Sequence, residues 1–132
     1  MPSFPGVWST NAITNANESA ANTETVVATL SGLITRYPSQ IIILQGWVAL
    51  TPGTTATSVT TRIRRLGLTG TVAVTGPGNS GDIVASKVSD LSINGSDQPG
   101  EVSQFTYVLT AQGAGEGTAF SVQNVWLEAQ IV

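Results

Sequence analysis

The stretch Gln40–Leu50 reads QIIILQGWVAL, and its pattern predicts the central strand of the fold. Along an extended chain, successive side chains point to opposite faces. One face carries Ile42, Leu44, Gly46, Val48 and Leu50, and the other carries Ile41, Ile43, Gln45, Trp47 and Ala49. Both faces are largely apolar, so the stretch predicts a strand that is covered on both sides. One cover is the core of the domain, and the other is a subunit contact or a covering layer.

Further strands are predicted around this stretch, separated by turns rich in Gly, Pro and Asn. They are Glu24–Ser31, Thr57–Leu66, Leu68–Thr75, Ile83–Ser89, Leu91–Ile93, Val102–Ala111 and Thr118–Val132. In the last strand the apolar phase slips near Gln123-Asn124, which predicts a β-bulge. About eight strands without a helical segment predict an all-β antiparallel β-sandwich, jelly-roll-like in its strand count. An immunoglobulin-like sandwich is the alternative, although its Cys…Trp…Cys pattern is absent.

Residues 1–23 differ in composition from the rest of the chain. The polar segment STNAITNANESAANT, residues 9–23, cannot bury much apolar surface by itself, yet Phe4 and Trp8 precede it. It is either a disordered terminus or an extended arm. We predict an N-terminal arm over residues 1–23 that docks on a partner chain through Phe4 and Trp8, followed by a sandwich domain over residues 24–132.

The composition excludes several kinds of active site. The 132 residues fit one domain and contain neither histidine nor cysteine. Ser–His–Asp and Cys–His catalysis, His-based zinc sites and disulfides are therefore excluded. Most of the eight carboxylates fall at turns or strand ends, where acidic side chains are usually solvated. We therefore predict no enzymatic activity and no cofactor. The apolar run Ile41–Leu44 is too short to cross a membrane, and the first five residues lack the features of a signal peptide.

The stretch Asp90–Glu101, DLSINGSDQPGE, has the spacing of a calcium-binding EF-hand loop. Its oxygen ligands would be Asp90, Ser92, Asn94 and Glu101, with Gly95 at the turn. However, the flanking residues read as strands, and Asn94-Gly95 alone is a common hairpin turn. We therefore predict a turn without a metal and keep the calcium loop as the alternative.

The stretch SVTTRIRRLG, Ser58–Gly67, contains three of the five cationic residues of the chain. Alternation directs Arg62 and Arg64 outward and Arg65 inward. Because the strand is ending there, we expect Arg65 to lie at the rim of the sheet and to extend its guanidinium group outward. A net charge of −3 argues against nucleic acid as a partner. We expect these guanidinium groups to pair with carboxylates or carbonyls on an adjacent strand or on another chain. A solvated strand face is the alternative.

Four segments resemble those of small phage-encoded β proteins. They are ETVVATLSG (24–32), IILQGWVAL (42–50), TTRIRR (60–65) and FTYVLTAQGAGEGT (105–118). Together with the arm, they make the chain similar to small jelly-roll structural proteins of tailed phages and viruses. These include capsid decoration (cement) proteins and the heads of fibres or spikes, some with a fold like that of tumour necrosis factor or C1q.

The resemblance implies a virion protein on the capsid surface or in the tail or fibre. It implies a homotrimer that binds the major capsid protein or another virion protein and stabilises the shell. The predicted interface residues are Phe4, Trp8, Ile41, Ile43, Trp47, Arg62 and Arg64. The alternatives are a fibre or spike head, an adhesive carbohydrate-binding β-sandwich, and a minor or major jelly-roll capsid subunit.

Overall fold

Eight antiparallel strands in two sheets make up the regular structure of the described residues. The computed structural model describes residues 6–17, 23–53, 58–76, 87–114 and 120–132. The strands are β1 Val7–Thr10, β2 Thr25–Ile34, β3 Ile42–Pro52, β4 Ser58–Arg65, β5 Val72–Thr75, β6 Ser89–Asp97, β7 Gln104–Ala114 and β8 Phe120–Ile131. Sheet 1 has the order β1-β8-β3-β6, and sheet 2 has the order β2-β7-β4-β5. The predicted all-β antiparallel sandwich is confirmed. No helix in the described part of the chain could span a membrane.

The core lies between the inner faces of the two sheets. Strand β3 contributes the predicted inward residues Ile42, Leu44, Val48 and Leu50, all buried. Strand β7 of sheet 2 contributes Phe105, Tyr107 and Leu109 from the opposite side. Gly46 shares the inward face of β3, where an added Cβ would lie 2.9 Å from Ile93 Cγ2 and 3.4 Å from Leu109 Cδ2. The glycine therefore makes room for both side chains between the sheets.

The bulge predicted near Gln123-Asn124 is confirmed. Ala49 pairs with Asn124, but the next residue of β3, Leu50, pairs with Val122, so Gln123 is the extra residue of β8. The shift keeps apolar residues of both halves of β8 in the core. It also fixes which residues of β8 point away from the core.

Strand β6 corrects the sequence prediction of a turn at Asn94-Gly95. The strand continues to Asp97 and is paired with β3 along its whole length. An added Cβ at Gly95 would lie 2.8 Å from Val74 Cγ2 on β5, so the glycine is needed where the two sheets approach each other. The sequence predicts a separate strand over Ile83–Ser89. Residues 83–86 lie outside the described part of the chain, and Ser89 is the first residue of β6.

The N-terminal segment contains a strand that the sequence does not predict. Strand β1 pairs with β8 at the edge of sheet 1. Further along, Thr14 N donates to Val27 O of sheet 2 (2.9 Å), and Val122 N of sheet 1 donates to Ala16 O (2.6 Å). Residues 6–17 therefore contact both sheets of their own chain. Docking of the arm on a partner chain stays a prediction.

Candidate functional site

The outer face of sheet 1 carries the second apolar side of β3. We call it the tryptophan face and define it by Ile43, Gln45 and Trp47 on β3, Trp126, Glu128 and Gln130 on β8, and Ser92, Asn94 and Ser96 on β6. The strand register sets these residues in three rows across the sheet: Ser92–Trp47–Trp126, Asn94–Gln45–Glu128 and Ser96–Ile43–Gln130. The face is therefore continuous over three strands.

Trp47 and Trp126 are direct cross-strand partners in the first of these rows. Residues opposite each other on antiparallel strands have Cβ atoms about 5 Å apart, so the two indole groups are neighbours. Both side chains are half-buried. Together with Gln45, Ser92 and Asn94 they line a depression of about 270 Å³. Indole rings beside amide and hydroxyl groups offer both apolar contact and hydrogen bonds.

The tryptophan face is nearly uncharged, since Glu128 is the one ionisable residue among its nine members. Ile43 is 37 % exposed, and Ile41, one residue before β3, is exposed beside it. A surface of this kind can meet a copy of itself without repulsion between like charges. The structure thus brings together the predicted residues Ile41, Ile43 and Trp47. It adds Trp126, which the alternation of β8 after the bulge would have placed outward.

Arg62 and Arg64 lie on the outer face of sheet 2, and both bind Glu24. Arg64 is bidentate, with its Nε 2.6 Å from Glu24 Oε2 and its Nη2 2.9 Å from Oε1, and Arg62 Nη1 is 3.2 Å from Oε1. The buried Thr110 donates a further bond of 2.7 Å to Oε2. Burial raises the pKa of Glu24, but the bonds from Arg64 and Thr110 and the two positive charges outweigh it, so the pKa lies below its usual value.

This cluster joins three strands of sheet 2. Glu24 precedes β2, Thr110 lies on β7, and both arginines lie on β4. Arg64 also donates to Gly70 O (2.8 Å), which fixes the turn between β4 and β5. The expectation that the outward arginines find a carboxylate is met within their own chain. Their predicted role in contact with another chain stays a prediction.

Arg65 forms a second cluster that links the two sheets, so the expectation that its guanidinium group extends outward at the rim is wrong. Its Nε and Nη2 donate to Asp97 of β6 at 2.8 and 2.9 Å, and Tyr107 Oη of β7 donates to Asp97 Oδ2 at 2.7 Å. The bonds to Asp97 raise the pKa of Arg65. Burial, followed by the bond to Asp97, raises the pKa of Tyr107 well above its ordinary value. The tyrosine therefore stays neutral and remains a donor.

Trp8 lies on β1 opposite Ala129 and packs half-buried against the core of its own chain. Phe4, the other anchor predicted for the arm, lies outside the described residues. Contact of Phe4 and Trp8 with a partner chain stays a prediction.

The described acidic residues do not assemble into a metal site. No group of three or more acidic residues that could hold a metal occurs in the ranges the structure describes. An EF-hand loop must curl around its ion. In contrast, Ser89–Asp97 is an extended strand, so the calcium-loop alternative for Asp90, Ser92, Asn94 and Glu101 is wrong. Glu24 and Asp97 are each held by arginine, which fits structural roles.

No protein-family model matches the chain, and no curated protein matches it. Solved structures of infectious bursal disease virus are similar to it in fold. The T=1 particles derived from the virus match with a TM-score of 0.65 and 11 % identity, over 95 % of this chain and 31 % of the viral chain. The T13 particle matches with a TM-score of 0.64 and 12 % identity, over 95 % and 31 %.

The VP2 subviral particle of the same virus gives a TM-score of 0.60 and 12 % identity, over 95 % of this chain and 32 % of the viral one. This chain thus spans about a third of the length of the viral chains it matches. At such identities the similarity concerns the fold, and it agrees with the sandwich described above.

Proposed function

We propose that this chain is a non-enzymatic structural protein of a virus particle that forms a homotrimer through the tryptophan face and decorates the capsid surface. The observation that carries the proposal is the sheet 1 surface itself, which pairs Trp47 with Trp126 and leaves Ile43 37 % exposed. Similarity of the fold to chains of icosahedral virus particles supports a place in the virion.

The chemistry of the face favours a second copy of this chain as the partner. Burial of its apolar side chains stabilises the contact by about 25 cal/mol for each Å² removed from water. The amides and hydroxyls around them, such as Gln45, Ser92 and Asn94, can form hydrogen bonds across the contact. A trimer is a closed ring of heterologous contacts, in which part of this face on one subunit meets a different part of the surface of the next, and the closure stops growth at three copies.

The mass of the purified protein in solution tests this proposal. We expect sedimentation equilibrium to give three times the 13.6 kDa chain mass. Ile43→Ser combined with Trp47→Ser should lower this mass toward that of one chain. Ile34→Ser is the matched control, since Ile34 is 55 % exposed but lies at the end of β2 in sheet 2. A wild-type monomer at micromolar concentration would refute the trimer.

Binding to virus shells, together with the mass of the pure protein, separates the roles within a virion. A closed trimer that co-sediments with intact shells of the virus that encodes it fits a decoration protein. A trimer that does not bind shells but is present in purified virions fits a fibre or spike head. Particles of many copies formed by the pure protein fit a capsid subunit.

A carbohydrate-binding β-sandwich is the second candidate, and the depression beside Trp47 and Trp126 favours it. Indole rings stack on the apolar faces of sugars, and Gln45, Ser92 and Asn94 could bind hydroxyl groups. A glycan panel followed by tryptophan fluorescence tests this candidate. It requires a monomer whose emission changes with one glycan and loses the change in Trp126→Ala. An unchanged emission across the panel would remove it.

A further inference from the structure

The N-terminal segment consists of two anchored parts joined by a short exposed piece. The first part is β1, which pairs with β8 over four residues, while Ile131 N donates to Gly6 O (3.0 Å). The second part is residues 14–17, which bind the strands that follow in the same chain. Its bonds are Thr14 N to Val27 O (2.9 Å), Asn15 Nδ2 to Val26 O (2.6 Å) and Val122 N to Ala16 O (2.6 Å).

Residues 11–13 lie between these parts, and all three are exposed. Among the described residues, the bond from Ala12 N to Thr10 Oγ1 (3.2 Å) stays within the segment and does not tie it to either sheet. Backbone rotations over these three residues would therefore break few contacts. A hinge at residues 11–13 would let β1 leave its own sheet while residues 14–17 stay bound.

Strand β1 is held by interactions that any copy of the chain can supply. Four residues pair through the backbone with the edge of β8, and Trp8 is the one β1 residue that packs against the core. The Trp8 ring folds back over Gly6, where an added Cβ would collide with it, so this seat depends on a glycine. The edge of β8 cannot distinguish its own β1 from that of a neighbouring chain.

We propose that β1 is exchanged between neighbouring copies, so that Val7–Thr10 of one chain completes sheet 1 of the next. The inference rests on the proposed self-association through the tryptophan face. Strand β1 continues that face, because Val7 and Ser9 extend its rows beyond Gln130 and Glu128. A neighbouring copy on this face therefore lies beside the strand, and the exchange retains the same pairing while it links the subunits.

An engineered pair of cysteines shows which chain donates β1. The chain has no cysteine, so Ser9→Cys with Glu128→Cys places two thiols on directly paired residues of β1 and β8. After oxidation of the assembled full-length protein, we expect disulfide-linked oligomers on a non-reducing denaturing gel. A short bismaleimide applied to the same variant provides a second reading where the disulfide geometry is unfavourable.

Two outcomes decide the inference. Linked oligomers, dispersed by reduction in the disulfide experiment, support the exchange. Single chains that carry an internal link and no free thiol overturn it, because β1 then pairs with its own β8. The mass of the untreated protein is measured in parallel. A trimer with only internal links sinks the exchange and leaves the proposed function standing, whereas a monomer sinks the proposed function itself.

Discussion

Tyr107 on β7 donates a hydrogen bond of 2.7 Å to Asp97 on β6, and this bond joins the two sheets at one end of the sandwich. Because Tyr107 is fully buried and Asp97 also holds Arg65, the hydroxyl group supports an ion pair in a poorly solvated place. Tyr107→Phe keeps the ring but removes the donor. We expect the free energy of unfolding to fall by about 1–3 kcal/mol, as measured by urea denaturation.

Tyr37→Phe is the control for this prediction. Tyr37 is the other tyrosine of the chain and lies exposed in the turn between β2 and β3, so its variant should unfold as the wild type does. Equal stabilities for the two variants would show that the bond to Asp97 contributes nothing beyond the packing of the ring.

The carboxylate of Glu24 should make the free energy of unfolding depend on pH in the acid range. Its pKa is lowered in the folded state by Arg64, Thr110 and Arg62 against the opposing effect of burial. The ionised form therefore stabilises the fold above the unfolded value of about 4.3. This stabilisation is lost as the pH falls through the lower folded value.

Glu24→Gln removes the ionisable group, so Arg62 and Arg64 lose the carboxylate that they share. At pH 7 we expect a loss of about 1–3 kcal/mol in the free energy of unfolding. The difference from the wild type should shrink between pH 5 and pH 2, roughly, as the wild-type carboxylate is protonated. Asp90→Asn, an exposed change on β6, is the control and should leave the free energy of unfolding at pH 7 close to that of the wild type. A constant difference between Glu24→Gln and the wild type across this range would contradict the assignment.

Local patterns in the sequence were sufficient for the central strand and for the bulge. Alternation identified the buried face of β3, and the slip of phase in β8 placed the bulge near Gln123-Asn124. These features depend on side-chain periodicity within one strand, which the sequence contains directly.

Partners between distant strands could not be obtained in this way. Glu24 meets Arg64 because β7 lies between β2 and β4, and this order arises from the topology of the whole sheet. Asn94-Gly95 suggested a turn because this dipeptide is common in hairpins, and the reason for the glycine became visible only with Val74 packed against it. Trp126 was readable as outward from the bulge, but its pairing with Trp47 required the register of β3 and β8.

The contact between Gly95 and Val74 predicts a pair of coupled substitutions. Gly95→Ala places a methyl group about 2.8 Å from Val74 Cγ2, which is too close for carbon atoms. We expect a loss of about 1–3 kcal/mol in the free energy of unfolding from this overpacking. Val74→Ala removes both clashing methyl groups, so the double variant should lose less than the sum of the single changes. Strict additivity in urea denaturation would mean that the added methyl group and the Val74 side chain do not interact.

Leu66 stores strain in the turn after β4, and its removal should stabilise the protein. Its φ of 69° lies in the left-handed region, which costs a residue with a Cβ about 1–2 kcal/mol. The turn is held there because Leu66 N donates to Thr106 O at 2.7 Å. Since the side chain is 65 % exposed, Leu66→Gly loses little packing and relieves the strain.

The larger conformational entropy of glycine in the unfolded chain offsets roughly 0.5–1 kcal/mol of this gain. We therefore expect Leu66→Gly to raise the free energy of unfolding by up to about 1 kcal/mol. Leu68→Gly is the control, because Leu68 is 43 % exposed in the same turn but is not among the residues with positive φ. This control should be destabilised, since it bears the entropic cost without relief of strain. If both variants lose stability equally, Leu66 bears no strain in solution, and its left-handed conformation costs the fold nothing.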